Sequence, residues 1–329
     1  MASVPATLNL YGVLSESKRI VNAHSRHFLA LSVLFLLPLA FSLIVYPTLE
    51  DALISTSRQK PTQTLLRSSN SYDLDFQTLI LPLIYTIFVY IFSLFAVGSV
   101  SNSIHHGFYG RPVKLASAVK SLAYSFIPLV VTSIASGIAI LLVCVCFGVF
   151  VMIVIQGIQF LGFEIDYNSS YSYGFFIIIS VFITLLLINL SVNWSLAPVI
   201  VVIESKWGFE PLRRSAYLIK GMKLVSLSLM LMFNLIIGFF IWGGSSSSSS
   251  IAFDDGWDCA QFILHTVLSS TFVTMFMLNS LVSTAVLYMY CKALHGELAW
   301  EIAEEFSTEY VCLPFDDAKV PHVVYVSEP

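Results

Sequence analysis

Residues 121–163 read SLAYSFIPLVVTSIASGIAILLVCVCFGVFVMIVIQGIQFLGF, forty-three positions without one Asp, Glu, Lys or Arg. A helix rises about 1.5 Å per residue, so this run is more than twice as long as a hydrocarbon core of about 30 Å requires. Five more charge-free stretches accompany it, at 27–49, 76–110, 167–203, 224–253 and 259–291. Each exceeds the roughly 20 apolar residues of a spanning helix. All sixteen basic and twenty acidic residues of the 329-residue chain fall outside these stretches. The chain is 57% hydrophobic and 11% charged, with a mean hydropathy of +0.83. A soluble domain carries about 25% charged residues, so this one has too few to coat a globule in water. The fold class that follows is all-α: a polytopic membrane helical bundle of about six transmembrane helices, with short cytoplasmic amphipathic helices.

The spacing predicts spans at 27–47, 78–100, 124–156, 173–203, 224–242 and 260–291, within a membrane domain of 27–291. A cytoplasmic N-terminal segment, 1–26, precedes it and an acidic cytoplasmic tail, 292–329, follows. Stretch 121–163 is long enough for one span or two segments. Gly157, Gln159 and Gly162 weaken its end, which favours one. Residues 14–21 have the pattern of a short amphipathic helix with Ser15 as its N-cap. Gly243, Gly244 and the six serines 245–250 read as a flexible loop. The sequon at Asn168 falls in a short outer loop, too close to the bilayer for efficient glycosylation.

Orientation follows from where Lys and Arg lie. Three precede span one (Lys18, Arg19, Arg26), three lie in 103–120, five in 204–223 and two in the tail. The alternate side has three, all in 48–77 (Arg58, Lys60, Arg67). Thirteen against three places both termini in the cytoplasm. A repeat is also suggested, because Pro112-Val-Lys114 and Pro211-Leu-Arg213 each follow a Gly-Phe pair and each precede an odd-numbered span. The architecture would then be units of basic amphipathic helix plus helical hairpin.

Several function classes lack their chemistry. A net charge of −4 supplies no field for nucleic acid. The five cysteines form no CxxC pair, and neither G-x-S-x-G nor H-E-x-x-H occurs. No nucleotide loop or cofactor motif is present, and the expectation is a non-enzyme with no cofactor. No Asp, Glu, Lys or Arg lies within a predicted span, which argues against a pump driven by a charge relay. The polar residues in spans are Asn189 and Asn193, spaced i, i+4, the outer His265, and a hydroxyl stripe on span six at Thr266, Ser269, Ser270 and Thr274. Such groups serve as packing contacts between helices. His295, Glu297 and Glu301 read as charged interface positions rather than metal ligands. Cys291, at the inner end of span six, is a candidate for palmitoylation.

The most informative stretch is 204–223, ESKWGFEPLRRSAYLIKGMK. Pro211 suits a first helical turn. Leu212, Ala216 and Ile219 share one face, and Trp207 and Tyr217 are aromatics of the kind found at headgroup level. The expectation is a helix lying in the inner interface, with Arg213, Arg214, Lys220 and Lys223 as candidate lipid contacts and Pro198 bending the span that enters it.

Residues 197–204, APVIVVIE, followed by Gly208 and by PLRRSAYLIKG at 211–221, resemble a pattern in bacterial six-span proteins, including the membrane domain attached to some glycerophosphodiester phosphodiesterases. The phosphodiesterase domain itself has no counterpart here. The whole chain, with its tail motif EYVCLPFDDAKVPH at 309–322, resembles a plant family of six-span integral membrane proteins of unknown function. The resemblance implies a fold and a lineage, with no mechanism. The functional expectation is a membrane-organising or adaptor protein that contacts membrane lipids and presents its tail to protein partners. The alternative is a facilitator or carrier for a small or lipid-like solute.

Overall fold

A computed structural model describes residues 9–58, 76–109, 115–160, 170–248 and 256–300. Among these the chain is helical, without strands. Helix α1 (Leu10–Ala23) packs on the bundle through Val13, Ser17 and Ile20. Its N-cap is Asn9 rather than Ser15, six residues earlier than the sequence suggested. Span one combines α2 (Ser25–Leu31), a π-turn (Ser32–Leu36) and α3 (Leu37–Arg58). Pro38 has no N–H for the carbonyl of Leu34, and the wider turn falls at that point. Spans two and three are α4 (Phe76–Phe108) and α5 (Leu115–Phe160), the latter a single helix of 46 residues. Stretch 121–163 therefore supplies one span.

Span four is interrupted: α6 (Ser170–Trp194) gives way to α7 (Ala197–Glu204). The short α8 (Glu210–Leu218) leads to span five, α9 (Lys223–Ser248), and α10 (Gly256–Leu294) is span six. Helix α9 runs through Gly243 and Gly244 to Ser248, where a loop was expected. Among the described residues six helices are long and apolar enough to cross a membrane, and the protein is a multi-pass membrane protein. The Asn168 sequon, most of the tail (301–329), and the Pro112 and Lys114 of the suggested repeat lie outside the described residues.

Packing identifies the organising helix. From Val282 to Cys291, α10 is apolar on nearly every side and buries Ala285, Val286, Leu287, Tyr288 and Met289 almost completely. A helix buried all round sits at the centre of its bundle, and α10 touches α1, α3, α4, α7, α8 and α9. The main core gathers at one end, from Val13, Phe28, Ile104, Ile200, Leu218 and the last turns of α10. Away from that end, α5 and α6 expose Leu141, Leu142, Phe150, Ile153, Ile177 and Phe182. In water such a surface would drive aggregation; against lipid tails it costs nothing. Small residues allow close approach where α4 meets its neighbours: Ser99, Ser101 and Ser103 are buried, and Ser103 Oγ lies 3.0 Å from His27 Nε2 of α2.

The turn from α8 into α9 requires a glycine. Gly221 has φ +97°, and a Cβ there would lie 3.3 Å from Leu294 Cδ2 at the end of α10. A side chain in left-handed backbone costs about 1–2 kcal/mol. Gly221→Ala is therefore expected to lower the thermal midpoint of the purified protein by several degrees. Gly137→Ala, on α5 with open space around it, should leave the midpoint unchanged or raise it; differential scanning fluorimetry distinguishes the two.

Candidate functional site at the basic corner

The corner between spans four and five begins at the break in span four. Pro198 was expected to bend the span; the helix ends earlier, at Trp194. The reason lies in the i to i−4 ladder. Proline both lacks the N–H and crowds the carbonyl four residues back, which is that of Trp194. Ser215 of α8 closes the gap. Its Oγ donates to the Asn193 carbonyl at 2.7 Å and accepts from the Leu196 N–H at 3.2 Å. Ser195 Oγ lies 3.0 Å from Ser226 Oγ on α9. Backbone polar groups freed within a membrane need partners inside the protein, and a fully buried serine supplies two of them.

Helix α7 ends at Ser205, whose φ of 54° is left-handed. Gly208, with φ +76°, donates its N–H to Thr132 Oγ1 of α5 at 3.1 Å. Pro211 then opens α8 in its first turn, as the sequence implied. The apolar face of α8 does not lie in lipid. Pro211, Leu212, Ser215 and Leu218 are buried against the bundle, and Ile219 follows them into the core. In the helix expected at the inner interface, the apolar face is thus covered by the protein's own spans.

The charges sort into two groups. Arg214 is turned inward and forms a two-pronged pair with Glu297, just beyond span six: Nη1 lies 3.0 Å from Oε1, and Nη2 bonds Oε2. Its Nε is 3.5 Å from Glu204 Oε2. Glu204 also accepts from the Tyr288 hydroxyl of α10 at 2.9 Å and lies 3.6 Å from Lys206 Nζ. Lys206 in turn reaches Glu210 at 3.0 Å. Burial opposes the Arg214 charge, yet the hydrogen bonds it donates to Glu297 and the attraction of both carboxylates outweigh it and hold the guanidinium above its ordinary pKa. Arg214 is therefore not a free lipid contact, since both carboxylates already engage it. Arg213, Lys220 and Lys223 remain exposed. Lys220 Nζ lies over the Tyr217 ring, 5.7 Å from its centroid, and that ring also meets His295 at 5.1 Å. Exposed Trp207 and Phe209 flank the same corner.

Other expected site residues fall elsewhere. The amides of Asn189 and Asn193 do not bridge helices; Asn193 Nδ2 donates along its own helix to Asn189 Oδ1 at 3.4 Å, and Asn189 is exposed. Spaced one turn apart, they satisfy one another. His265 is half-buried on α10 and has no hydrogen-bond partner among the described residues. The span-six stripe is buried, with Ser270 donating to the Thr266 carbonyl at 2.6 Å and Thr274 to that of Ser270 at 2.7 Å. Cys291 is wholly buried, which removes it as an acylation candidate. His295 Nδ1 lies 2.8 Å from the Cys291 carbonyl. Sequence reasoning missed Glu204, Tyr288 and the Arg214–Glu297 pair. The visible signal was the placement of Glu204 and Glu297 just past the ends of spans four and six.

Losing a hydrogen bond to a charged partner costs about 1.5–3 kcal/mol. Arg214→Gln is expected to destabilise the detergent-solubilised protein by about 2 kcal/mol on that scale. A double-mutant cycle with Glu297→Gln should show coupling of about 1–3 kcal/mol, as for contacting charges. Additive effects in that cycle would mean the pair does not fasten the corner.

The comparisons with known proteins locate the chain without adding an activity. No curated protein matches it, and no solved structure does. A family described as a domain of unknown function, DUF8558, matches residues 6–320, and the chain belongs to that family.

Proposed function

We propose that the protein is a non-enzymatic membrane-organising or adaptor protein, which holds anionic lipid at its basic corner and presents its C-terminal tail beside it. The observation that carries this reading is the sorting of charge at α8. Arg214 and Lys206 pair internally, while Arg213, Lys220 and Lys223 are exposed, as are Trp207 and Phe209 at the start of the same segment. Cations with aromatics are what a helix at the headgroup level presents. Each Lys or Arg near an anionic leaflet contributes about 1 kcal/mol, so three supply up to about 3 kcal/mol before salt screening. The start of the tail is fixed at the same corner, by Glu297 on Arg214 and by Leu298 against the core. Partners meeting the tail would therefore meet it at the membrane surface.

Both termini lie in the cytoplasm in this reading, on the strength of the thirteen-to-three split of Lys and Arg. Tags at either end should be digested by protease only after the plasma membrane is permeabilised, and a tag inserted in the serine run should behave oppositely with respect to the cytosol. Labelling of both termini on intact cells would reverse the topology.

The lipid reading has its own test. The full-length protein is reconstituted in nanodiscs of phosphatidylcholine with a minor share of spin-labelled phosphatidylserine. Arg213→Glu combined with Lys220→Glu and Lys223→Glu is expected to lower the immobilised phosphatidylserine fraction at least fivefold, and 0.5 M salt should do the same to the native chain, since roughly 0.1 M already shortens the screening length to about 10 Å. If neither change moves that fraction, the charges serve topology alone.

A further inference from the structure

A cavity of about 290 Å³ lies between α4, α5 and the break in span four. That volume is at the lower end of small-molecule sites, about 300–1,000 Å³. Its polar lining is made of hydroxyls: Ser93 of α4, Thr132, Ser133 and Ser136 of α5, and Ser191 of α6. Its apolar lining includes Leu94, Leu129, Trp194, Pro198 and Leu212, and no ionisable side chain lines it. Pro198 and Ile140 of its lining are exposed and no α10 residue lines it, so it opens on the outer surface of the bundle rather than toward α10. Thr132 holds the Gly208 loop, at the headgroup end of the span. Ile140 lies eight residues further along α5, about 12 Å deeper at 1.5 Å per residue.

The hydroxyl protons decide what fits. Ser93 donates to the Tyr90 carbonyl at 2.8 Å, Ser133 to that of Val130 at 2.8 Å and Ser136 to that of Ser133 at 2.8 Å. Each proton is thus held within its own helix, and what the oxygens turn outward is lone pairs. Thr132 Oγ1 already accepts from Gly208, and Ser133 is further bonded to the Tyr90 hydroxyl. Ser93 and Ser136 keep acceptor capacity, and Ser191 has no hydrogen-bond partner among the described residues. The carbonyl of Trp194, which Pro198 cannot serve, belongs to a lining residue. Thr132 and Ser191 keep a hydroxyl proton and Trp194 an indole N–H, so the lining offers donors beside these acceptors, with no cation for a phosphate and no anion for a quaternary ammonium. It suits a neutral group that both donates and accepts a hydrogen bond, as a hydroxyl does, on an apolar body that can enter from the bilayer.

We infer that this cavity binds an uncharged membrane lipid bearing a free hydroxyl, its oxygen directed to Ser93 and Ser136 and its hydrocarbon lying along Leu94, Leu129 and Ile140. Two lipid sources share that chemistry, a diacylglycerol and a sterol. The site is separate from the exposed cations, and neither reading depends on the other.

The test uses the full-length protein in phosphatidylcholine nanodiscs, with dioleoylglycerol and cholesterol probes that each carry a photoactivatable diazirine in the hydrocarbon part. At least one probe should label saturably, be competed by its unlabelled parent, and resist competition by the parent's acetyl ester, which has lost the donor. The probe that labels identifies the source. Ser136→Leu fills the cavity and should reduce labelling at least tenfold. Ser136→Ala keeps the space, removes an acceptor and should weaken labelling at least threefold. Ile138→Leu, exposed on the same helix, should label like the native chain. The inference is overturned if neither probe labels saturably, if the acetyl esters compete equally, or if both Ser136 variants label like the native protein.

Discussion

Glu204 stands where span four leaves the hydrocarbon, and three elements converge on its carboxylate: α10 through the Tyr288 hydroxyl, α8 through Arg214, and the loop through Lys206. In lipid, helices gain little from apolar contact with one another, because the tails are as apolar as leucine. What fixes one arrangement over another must come from close packing and from a few directional polar bonds. Among the described residues of this bundle the ion pairs sit almost wholly at one end. There water reduces the cost of burying them, which deep in the membrane would exceed the attraction. Through Arg214 the same network reaches Glu297, so the ends of spans four and six and the helix between spans four and five are tied at one point.

The location of that tie explains the asymmetry of the packing. The core is dense around the last turns of α10 and the N-terminal helix, and α5 and α6 stand largely exposed further out. A bundle pinned at one end can let two long helices diverge, provided lipid fills the space. The break after Trp194 belongs to the same arrangement. By ending α6 and restarting as α7, the chain redirects span four toward α4 and α5 while Ser215 satisfies the interrupted backbone. The cavity lies along this break, where three helices meet without a side chain large enough to fill the gap.

Much of this was legible in the sequence, for a physical reason. The absence of charge over 20 or more residues has one common explanation, and all six spans appeared where that signal placed them. Boundaries were less legible. Helices α3, α4 and α9 run beyond the expected spans to Arg58, Phe108 and Ser248, since polar residues end a span without ending a helix. The break in span four was read at Pro198 because proline is the visible residue; its effect falls on the carbonyl four positions earlier. Asn189 and Asn193 were assigned to contacts between helices on their spacing, although the same spacing lets them bond each other.

The basic corner shows why a charge count cannot replace a structure. In the positive-inside rule Arg213 and Arg214 are equivalent, each adding one charge to the same loop. On α8 they are adjacent residues, about 100° apart around the helix axis. That rotation turns Arg214 toward a carboxylate 83 residues away and leaves Arg213 exposed. The amphipathic pattern could not distinguish them, because a helix docked on its own protein and a helix docked on a bilayer need the same apolar face. What separates the cases is a partner for that face, and here it is the serine-plugged break in span four together with the end of α10. Once α8 is held there, the cations that point away from the protein are those its sequence leaves over, and their exposure follows from the docking rather than from any pattern within α8 itself.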